Sequence, residues 1–304
     1  MNVLVLGGNG FIGSALIGGL LNQGHQVNVF DRNVDAVKKQ FPNVANAVQA
    51  DFADVMSLTE AMSGVDIIFH LISTSVPSTS NKNPVHDIET NLVNTVKLLE
   101  LMRNSDVKRI IYLSSGGTVY GVPQSLPITE DHPTNPTCSY GIVKLAIEKY
   151  LQMYADLYQL DVTILRPSNP YGPGQTHKGV QGFIGTCIDK INAGEPITVW
   201  GDGAVVRDYI YIDDVVSACL EAMTIKQVGP FNISSGTGYS LNQILSMIER
   251  YRDKKIDVVY QQKRSFDIPE VILDNEYARS SFGWAPLIPL EQGLGLTLQH
   301  GLKQ

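Results

Sequence analysis

The stretch Asn2-Val3-Leu4-Val5-Leu6-Gly7-Gly8-Asn9-Gly10-Phe11-Ile12-Gly13 decides the fold. A short apolar run that stops at glycines reads as a buried parallel strand entering a tight turn. Gly8, Gly10 and Gly13 fit G-x-G-x-x-G, while Gly7, Gly10 and Gly13 fit the related G-x-x-G-x-x-G. Glycines there allow the turn, let backbone N–H groups approach a pyrophosphate, and seat the next helix on the sheet. Phe11, Ile12, Leu16, Leu20 and Leu21 continue at helical spacing to a stop near Gly24, and a second strand over 26–30 delivers Asp31. A carboxylate at that point accepts hydrogen bonds from the adenosine ribose hydroxyls and repels a 2′-phosphate, so the expected cofactor is NAD rather than NADP. Arg32 follows it and is read as a solvated charge at the edge of the same site.

Working outward, strands and helices alternate. Helices are expected near 34–40 and 55–61, with strands near 47–49 and 66–71. One long amphipathic helix is expected over 85–102, a strand over 109–113, a helix around Tyr140 and a strand over 162–165. Repeated βα units of this length imply an α/β protein with a Rossmann-type doubly wound parallel sheet. Ligands on such sheets collect at the carboxyl ends of the strands, where Gly7–Gly13, Asp31, Asp51, His70–Ser73, Ser114–Ser115 and Arg166–Asn169 fall. Beyond Pro167 the texture changes to Pro- and Gly-marked loops. The expected division is a dinucleotide domain over 1–166, with a return at 205–224, and a smaller mixed α/β substrate region over 167–204 and 225–304.

Tyr140 and Lys144 stand four apart, one helical turn. A free phenol has a pKa near ~10, and an adjacent ammonium favours the phenolate. On that reading Tyr140 is a candidate general base and Lys144 its electrostatic partner. His70, at a strand end, reads as structural, since a site of this kind already has its base.

The 304 residues suffice for one large α/β domain or two smaller ones, and 43% hydrophobic content for a packed core. A formal charge of −7 argues against nucleic acid or an anionic membrane surface as partner. Cys138, Cys187 and Cys219 are scattered without metal-ligand spacing, so no metal and no disulfide framework is expected. No basic leader stretch precedes the first strand and no apolar run approaches ~18 residues, so a cytoplasmic location is expected.

Together these residues resemble the extended short-chain dehydrogenase/reductases that modify nucleotide sugars, most closely the UDP-hexose 4-epimerases of the UDP-glucose/UDP-N-acetylglucosamine type. The likeness spans nearly the whole chain. It is carried by Gly7–Gly13, Asp51-Phe52, His70-Leu71, Asn91, the run Ser114-Ser115-Gly116-Gly117-Thr118-Val119-Tyr120-Gly121, and Tyr140-x-x-x-Lys144. In the second half it is carried by Leu165–Gln175, Trp200–Gly203, Arg207–Asp214 and Arg264-x-x-Asp267. The resemblance implies that Tyr140 is the acid/base and that Lys144 also holds the nicotinamide ribose. It puts Asp51 and Phe52 at the adenine, and Gly7, Gly10, Phe11, Ile12, Gly13, Asp31, Leu71, Asn91 and Ser114 among the cofactor contacts. Asn169, Arg207 and Arg264 would bind the nucleotide diphosphate, for which a guanidinium fork is well matched. A homodimer through the apolar faces of the helices over 85–102 and 140–157 is implied as well.

Two departures from the family pattern bear on the reaction. The serine or threonine that usually assists the tyrosine is replaced by Gly116, which leaves Thr118, with Ser115 close behind, as the candidate hydroxyl. The acidic residue that family dehydratases and decarboxylases carry beside that position is also missing, since Gly117 and Thr118 stand there. Without it β-elimination lacks its catalyst, and epimerisation of a UDP-sugar at carbon 4 through a transient keto sugar leads. A UDP-glucuronate epimerase or decarboxylase, a dehydratase, a 4-keto-sugar reductase and a non-catalytic NAD(P)-sensing regulator are the alternatives. For the sugar itself, Val271 is read as a small gatekeeper that leaves room for an N-acetyl group, Ser75 replaces a lysine common in UDP-galactose epimerases, and Thr118, Thr176 or Lys178 could contact a uronate.

Overall fold

A computed structural model describes residues 1–175, 182–226, 228–263 and 268–302. The first half runs β1 (Asn2–Leu6), α1 (Phe11–Asn22), β2 (Gln26–Asp31), α2 (Asp35–Gln40), β3 (Asn46–Gln49), α3 (Val55–Ala61), β4 (Ile67–His70), α4 (Pro77–Ser80), α5 (Pro84–Asp87), a π-helix (Ile88–Val93), α6 (Asn94–Arg103), β5 (Arg109–Leu113), α7 (Ser139–Tyr158) and β6 (Asp161–Pro167). The second half runs β7 (Asn169–Tyr171), α8 (Phe183–Ala193), β8 (Ile197–Trp200), β9 (Val206–Tyr211), α9 (Ile212–Ala222), β10 (Phe231–Ile233), β11 (Gly238–Ser240), α10 (Leu241–Arg252), β12 (Val258–Gln261), β13 (Glu270–Val271), α11 (Glu276–Phe282) and α12 (Leu290–Gly301).

Seven strands form one parallel sheet in the order β3-β2-β1-β4-β5-β6-β10. The sheet is buried on both faces, which is why its strands read as continuous apolar runs rather than alternating ones. Along β1, Val3 and Val5 enter the core under α1 and α9, while Leu4 and Leu6 enter the one under α3, α6 and α7. Each of these four is fully buried, a contribution of about 1.5–3 kcal/mol apiece. The order of strand addition reverses between β1 and β4, with β2 and β3 laid down on one side of β1 and β4, β5 and β6 on the other, and the crevice at such a switch point is where ligands collect.

α7 buries Val143, Ile147, Leu151 and Tyr154 against the sheet and stops at Gln159, whose φ of 59° is left-handed. The single helix expected over 85–102 is instead three pieces. Pro84 starts α5 with Asn83 as its cap, and the backbone then widens into the π-helix before α6 begins. The widening falls where the loop after β4 docks: Thr74 N–H donates to Asn91 Oδ1 at 2.9 Å and Asn91 Nδ2 donates to Thr74 Oγ1 at 2.8 Å. A side chain inserted at such a turn is a recognised cause of helix irregularity.

A smaller lobe packs α8, α10 and α12 around β8 and β9. β9 lies in a second sheet between β11 and β13, with β7 also paired to it. The helix that follows, α9, crosses back beneath the main sheet: a Cβ on Gly19 of α1 would lie 2.6 Å from Val216 Cγ1. β10 also lies in the main sheet, at its edge, although it comes from the segment that sequence assigns to the substrate region.

Candidate active site

The glycine turn is shaped by close contact. Gly7 has a φ of +89° and donates to Phe30 O at 2.9 Å. A Cβ on Gly13 would sit 2.2 Å from Gly7 O, far inside van der Waals contact. Gly10 precedes α1, whose first turn carries no acidic side chain and no side-chain cap. Its N–H groups and positive dipole end are thus left for an anion. Asp31, at the carboxyl end of β2, accepts from Asn9 N at 3.0 Å and Asn33 N at 3.1 Å. Asp31, Arg32, Asp51, Phe52, Leu71 and Gly7 share the lining of one cavity of about 340 Å³. Pyrophosphate cradle, ribose carboxylate and flat apolar wall fit a dinucleotide. Of the residues expected at the cofactor, Gly7, Gly10, Asp31, Asp51 and Phe52 line this cavity, and Gly13 lines the next one.

A second cavity, of about 530 Å³, continues from Gly7, Phe11 and Ile12 past Leu71, Ser114, Ser115, Thr118, Tyr140 and Lys144 to Asn169 and Arg207. Lys144 is buried on the inner face of α7. Its Nζ donates to Leu113 O at 2.8 Å and lies 5.7 Å from the centre of the Tyr140 ring and 4.8 Å from that of Tyr112. Burial pulls its pKa down to about 8, opposed by the charges of Glu148 and Asp87. The expected drop in the Tyr140 pKa beside Lys144 gives way to a rise, because burial dominates. Burial pushes Tyr140 up to about 12, and what opposes the rise is hydrogen bonding with Ser73 and Ser115 rather than the ammonium.

The hydroxyls divide clearly. Ser115 reaches the Tyr140 phenol, whereas Thr118 Oγ1 is buried without a hydrogen-bond partner in the protein. Ser115 and Thr118 both line the cavity with Tyr140, and of the two it is Ser115 that acts on the phenol. A side chain at Gly116 is disfavoured by space: a Cβ there would lie 2.3 Å from Leu273 Cδ1 and 3.0 Å from Arg166 O. Ser73, placed by sequence at the ligand end of the sheet but not beside the tyrosine, is the second hydroxyl at the phenol. Its place just beyond the carboxyl end of β4, three residues after His70, was the available signal.

Behind this wall lies a buried polar layer. Ser114 donates to Glu148 in a short contact, and Glu148 holds Arg166 through Nε at 3.0 Å and Nη2 at 2.5 Å. Arg166 also donates to Tyr120 Oη at 2.8 Å. His70 is packed between Phe52 and Tyr112, each with its ring centre 5.2 Å away, and its Nε2 pairs with Thr95 Oγ1 at 2.8 Å. Burial drives its pKa down to about 3, so it stays neutral, as expected of a structural histidine. Asn91 differs from expectation. It is 5% exposed, lines neither cavity, and uses its amide on Thr74 and Asp87.

Toward the second lobe, Asn169 Nδ2 donates to Asp208 O at 2.8 Å and Arg207 Nη1 to Val206 O at 2.7 Å. Both residues line the 530 Å³ cavity and also a neighbouring one of about 240 Å³, with Phe183, Thr198 and Trp200 on its far side. Asp208, fully buried, ties the loops together by accepting from Ser168 Oγ, Ser235 N, Gly236 N and Leu273 N. Val271 packs with Val119, Tyr120, Ile128 and Leu273 and does not line the cavity, so the expected gatekeeper is a core residue; Ile268 is the neighbour that faces the cavity. Arg264, Thr176 and Lys178 lie outside the described residues.

The comparisons with known proteins follow the same outline. A model of the NAD dependent epimerase/dehydratase family matches residues 3–234. A putative UDP-glucose 4-epimerase of Methanocaldococcus jannaschii is 35% identical over 294 residues, which cover 96% of this chain and 95% of that protein. A UDP-glucose 4-epimerase of Thermotoga maritima, solved with UDP-glucose, aligns with a TM-score of 0.94 at 34% identity, covering 99% and 98% of the two chains. The Thermus thermophilus UDP-glucose 4-epimerase in complex with NAD aligns at 0.92 and 30% identity, with the same coverage.

Proposed function

The chain belongs to the NAD dependent epimerase/dehydratase family, and on that premise we propose that it inverts carbon 4 of a UDP-sugar, with Tyr140 moving the proton of the sugar hydroxyl. NAD supplies what no side chain can, accepting a hydride from carbon 4 and giving it back to the opposite face. One observation carries the reading: the cavity of about 530 Å³ is lined by Tyr140, Lys144, Ser115 and the glycine turn, and by no aspartate or glutamate among the described residues. Expulsion of water or carbon dioxide calls for a further acid or base, which this wall lacks.

The roles divide by position. Gly7, Gly10 and Gly13, with Phe11 and Ile12 opening α1, cradle the pyrophosphate, and Asp31 accepts from the adenosine ribose. Asp51, Phe52 and Leu71 face the adenine, Arg32 remains a solvated edge charge, and Lys144 holds the nicotinamide ribose. Asn91 acts from behind, by fixing the loop after β4, and Ser114 by joining the cavity wall to Glu148. Tyr140 takes and returns the proton, with Ser115 as the hydroxyl that bridges phenol and sugar and Thr118 as a substrate contact. Ionising a phenol held near 12 is uphill at neutral pH, and hydrogen bonding from Ser115 eases it. Asn169, Arg207 and Arg264 grip the diphosphate, so that a keto sugar turns over without escaping.

No helix among the described residues is long and apolar enough to cross a membrane, and free thiols at Cys138, Cys187 and Cys219 suit a reducing compartment; the reading includes the cytoplasm. It also includes a homodimer, supported by exposed apolar side chains on two adjacent faces: Val85, Ile88 and Val93 on one, Ile142, Met153 and Leu157 on the other. Proton NMR of the purified protein with UDP-glucose, UDP-N-acetylglucosamine and UDP-glucuronate, no cofactor added, tests the activity. The anomeric signal of a 4-epimer in at least one tube is expected. Silence in all three with turnover only on added NADPH would replace the reading by a reductase.

A further inference from the structure

The mechanism above makes no use of Asp87, yet this carboxylate is 1% exposed and sits directly behind the reacting tyrosine. Burying a carboxylate is unfavourable unless its oxygens are satisfied. No lysine or arginine pairs with Asp87 among the described residues. Three neutral donors surround it instead. Oδ1 accepts from Ser75 Oγ at 2.6 Å and from Asn91 Nδ2 at 2.9 Å, and Oδ2 accepts from Ser139 Oγ at 2.7 Å.

These donors come from the three segments that meet at Tyr140. Ser139 is the first residue of α7 and immediately precedes the tyrosine; its N–H is held by Asn81 Oδ1 at 2.8 Å. Ser75 lies in the loop after β4, and its carbonyl accepts from Ser73 Oγ at 3.1 Å, the hydroxyl that reaches the phenol. Asn91 belongs to the π-helix that begins immediately after Asp87. Charge-assisted hydrogen bonds of this length are about twice as strong as neutral ones, so a single carboxylate fastens the helix carrying the base to the loop carrying its hydroxyl partner.

We propose that Asp87 is a positioning residue, which through Ser139 and Ser75 holds the Tyr140 phenol and the Ser73 hydroxyl in register with the substrate. The inference rests on the role given to Tyr140 above. Its effect belongs in turnover rather than in nucleotide affinity, because Asp87 lines neither large cavity and its hydrogen bonds run to Ser139, Ser75 and Asn91.

The test compares Asp87→Ala, Asp87→Asn and Ser139→Ala in the full chain with its bound cofactor. Misplacing a base by about an ångström lowers turnover by up to roughly a hundredfold. Asp87→Ala is therefore expected to lose about tenfold to a hundredfold in kcat with KM within about twofold. Asp87→Asn, which still offers one acceptor and can exchange donor roles with the serine hydroxyls, is expected to recover most of that loss. Ser139→Ala, at a partly exposed site that leaves the fold intact, should fall in the same direction. A kcat unchanged in Asp87→Ala, or an Asp87→Asn variant no better than Asp87→Ala, would overturn the proposal. A readout independent of turnover keeps it distinct from the epimerase reading: in protein labelled with ¹³Cζ-tyrosine, the Tyr140 resonance, assigned by Tyr140→Phe, should move in Asp87→Ala and return toward its native position in Asp87→Asn. A resonance unmoved in Asp87→Ala sinks the proposal whatever the activity on UDP-sugars turns out to be.

Discussion

Restoring the hydroxyl that Gly116 lacks is the sharpest perturbation of the site. In Gly116→Ser the new Cβ would stand 2.3 Å from Leu273 Cδ1, 3.0 Å from Arg166 O and 3.3 Å from Pro167 O. Carbon atoms in contact prefer about 3.5–4.0 Å, so Leu273 must withdraw by more than an ångström. It has nowhere empty to go: it is fully buried and packs on Val119, Tyr120, Ile128 and Val271. Overpacking of this kind costs about 1–3 kcal/mol. The carbonyl of Arg166 is backbone and can yield little, so part of the penalty should persist even when the leucine is shortened. Urea unfolding should therefore show Gly116→Ser destabilised by about 1–3 kcal/mol, and by about 1 kcal/mol less when introduced into Leu273→Ala. Turnover should fall, since Gly117 and Pro167, the neighbours of Gly116 and Arg166, line the cavity. A Gly116→Ser protein that unfolds like the wild type and turns over faster would refute the claim that space, rather than chemistry, keeps the hydroxyl out.

Other outcomes follow from the same geometry. Ser115→Ala should lower kcat by about tenfold to a hundredfold, the worth of a hydrogen bond to a developing charge, while Thr118→Val, which removes a buried hydroxyl that has no protein partner, should leave urea stability within about 1 kcal/mol of wild type and affect kcat less; the reverse order of kcat effects would restore Thr118 as the tyrosine's partner. His70 has a folded pKa of about 3 against 6.5 unfolded, so between those values the unfolded chain binds the extra proton and stability declines as pH falls. From pH 7 to pH 5 this amounts to about 2 kcal/mol, and His70→Asn should lose that part of the pH slope in urea titrations, whereas an unchanged slope would contradict the assignment. Asp31→Ala should weaken NAD retention by about tenfold to a hundredfold, measured by cofactor content after dilution, with retention as in wild type counting against its ribose contact.

The parallel sheet was legible because the strands are buried on both faces and the glycine turn is a local device: Leu4, Leu6 and Gly13 carry their meaning within a dozen residues. The break of the 85–102 helix was not, since the π-helix forms where Asn91 meets Thr74 from another segment, and helical spacing of apolar residues is blind to that docking. β10 escaped the expected sheet for a similar reason, as three residues following a long excursion leave little periodicity to read. At the site, Tyr140 and Lys144 share a face of α7 as their spacing implies. The direction of the tyrosine pKa was misread because burial, a property of the whole fold, outweighs one neighbouring cation. Ser73 was placed at the ligand end of the sheet by position alone, while Asp87 carried no motif and became visible only through its hydrogen bonds.

The claim at the centre of the account is that the bond broken and remade is the C–H bond at carbon 4, with that hydrogen never passing to water. A UDP-sugar labelled with deuterium at carbon 4, incubated with the purified protein in ordinary water and followed by mass spectrometry and NMR, tests it. The account predicts that the 4-epimer retains the deuterium at carbon 4 in full. An epimer carrying solvent hydrogen at that carbon would contradict it and assign the protein a proton-abstraction chemistry instead.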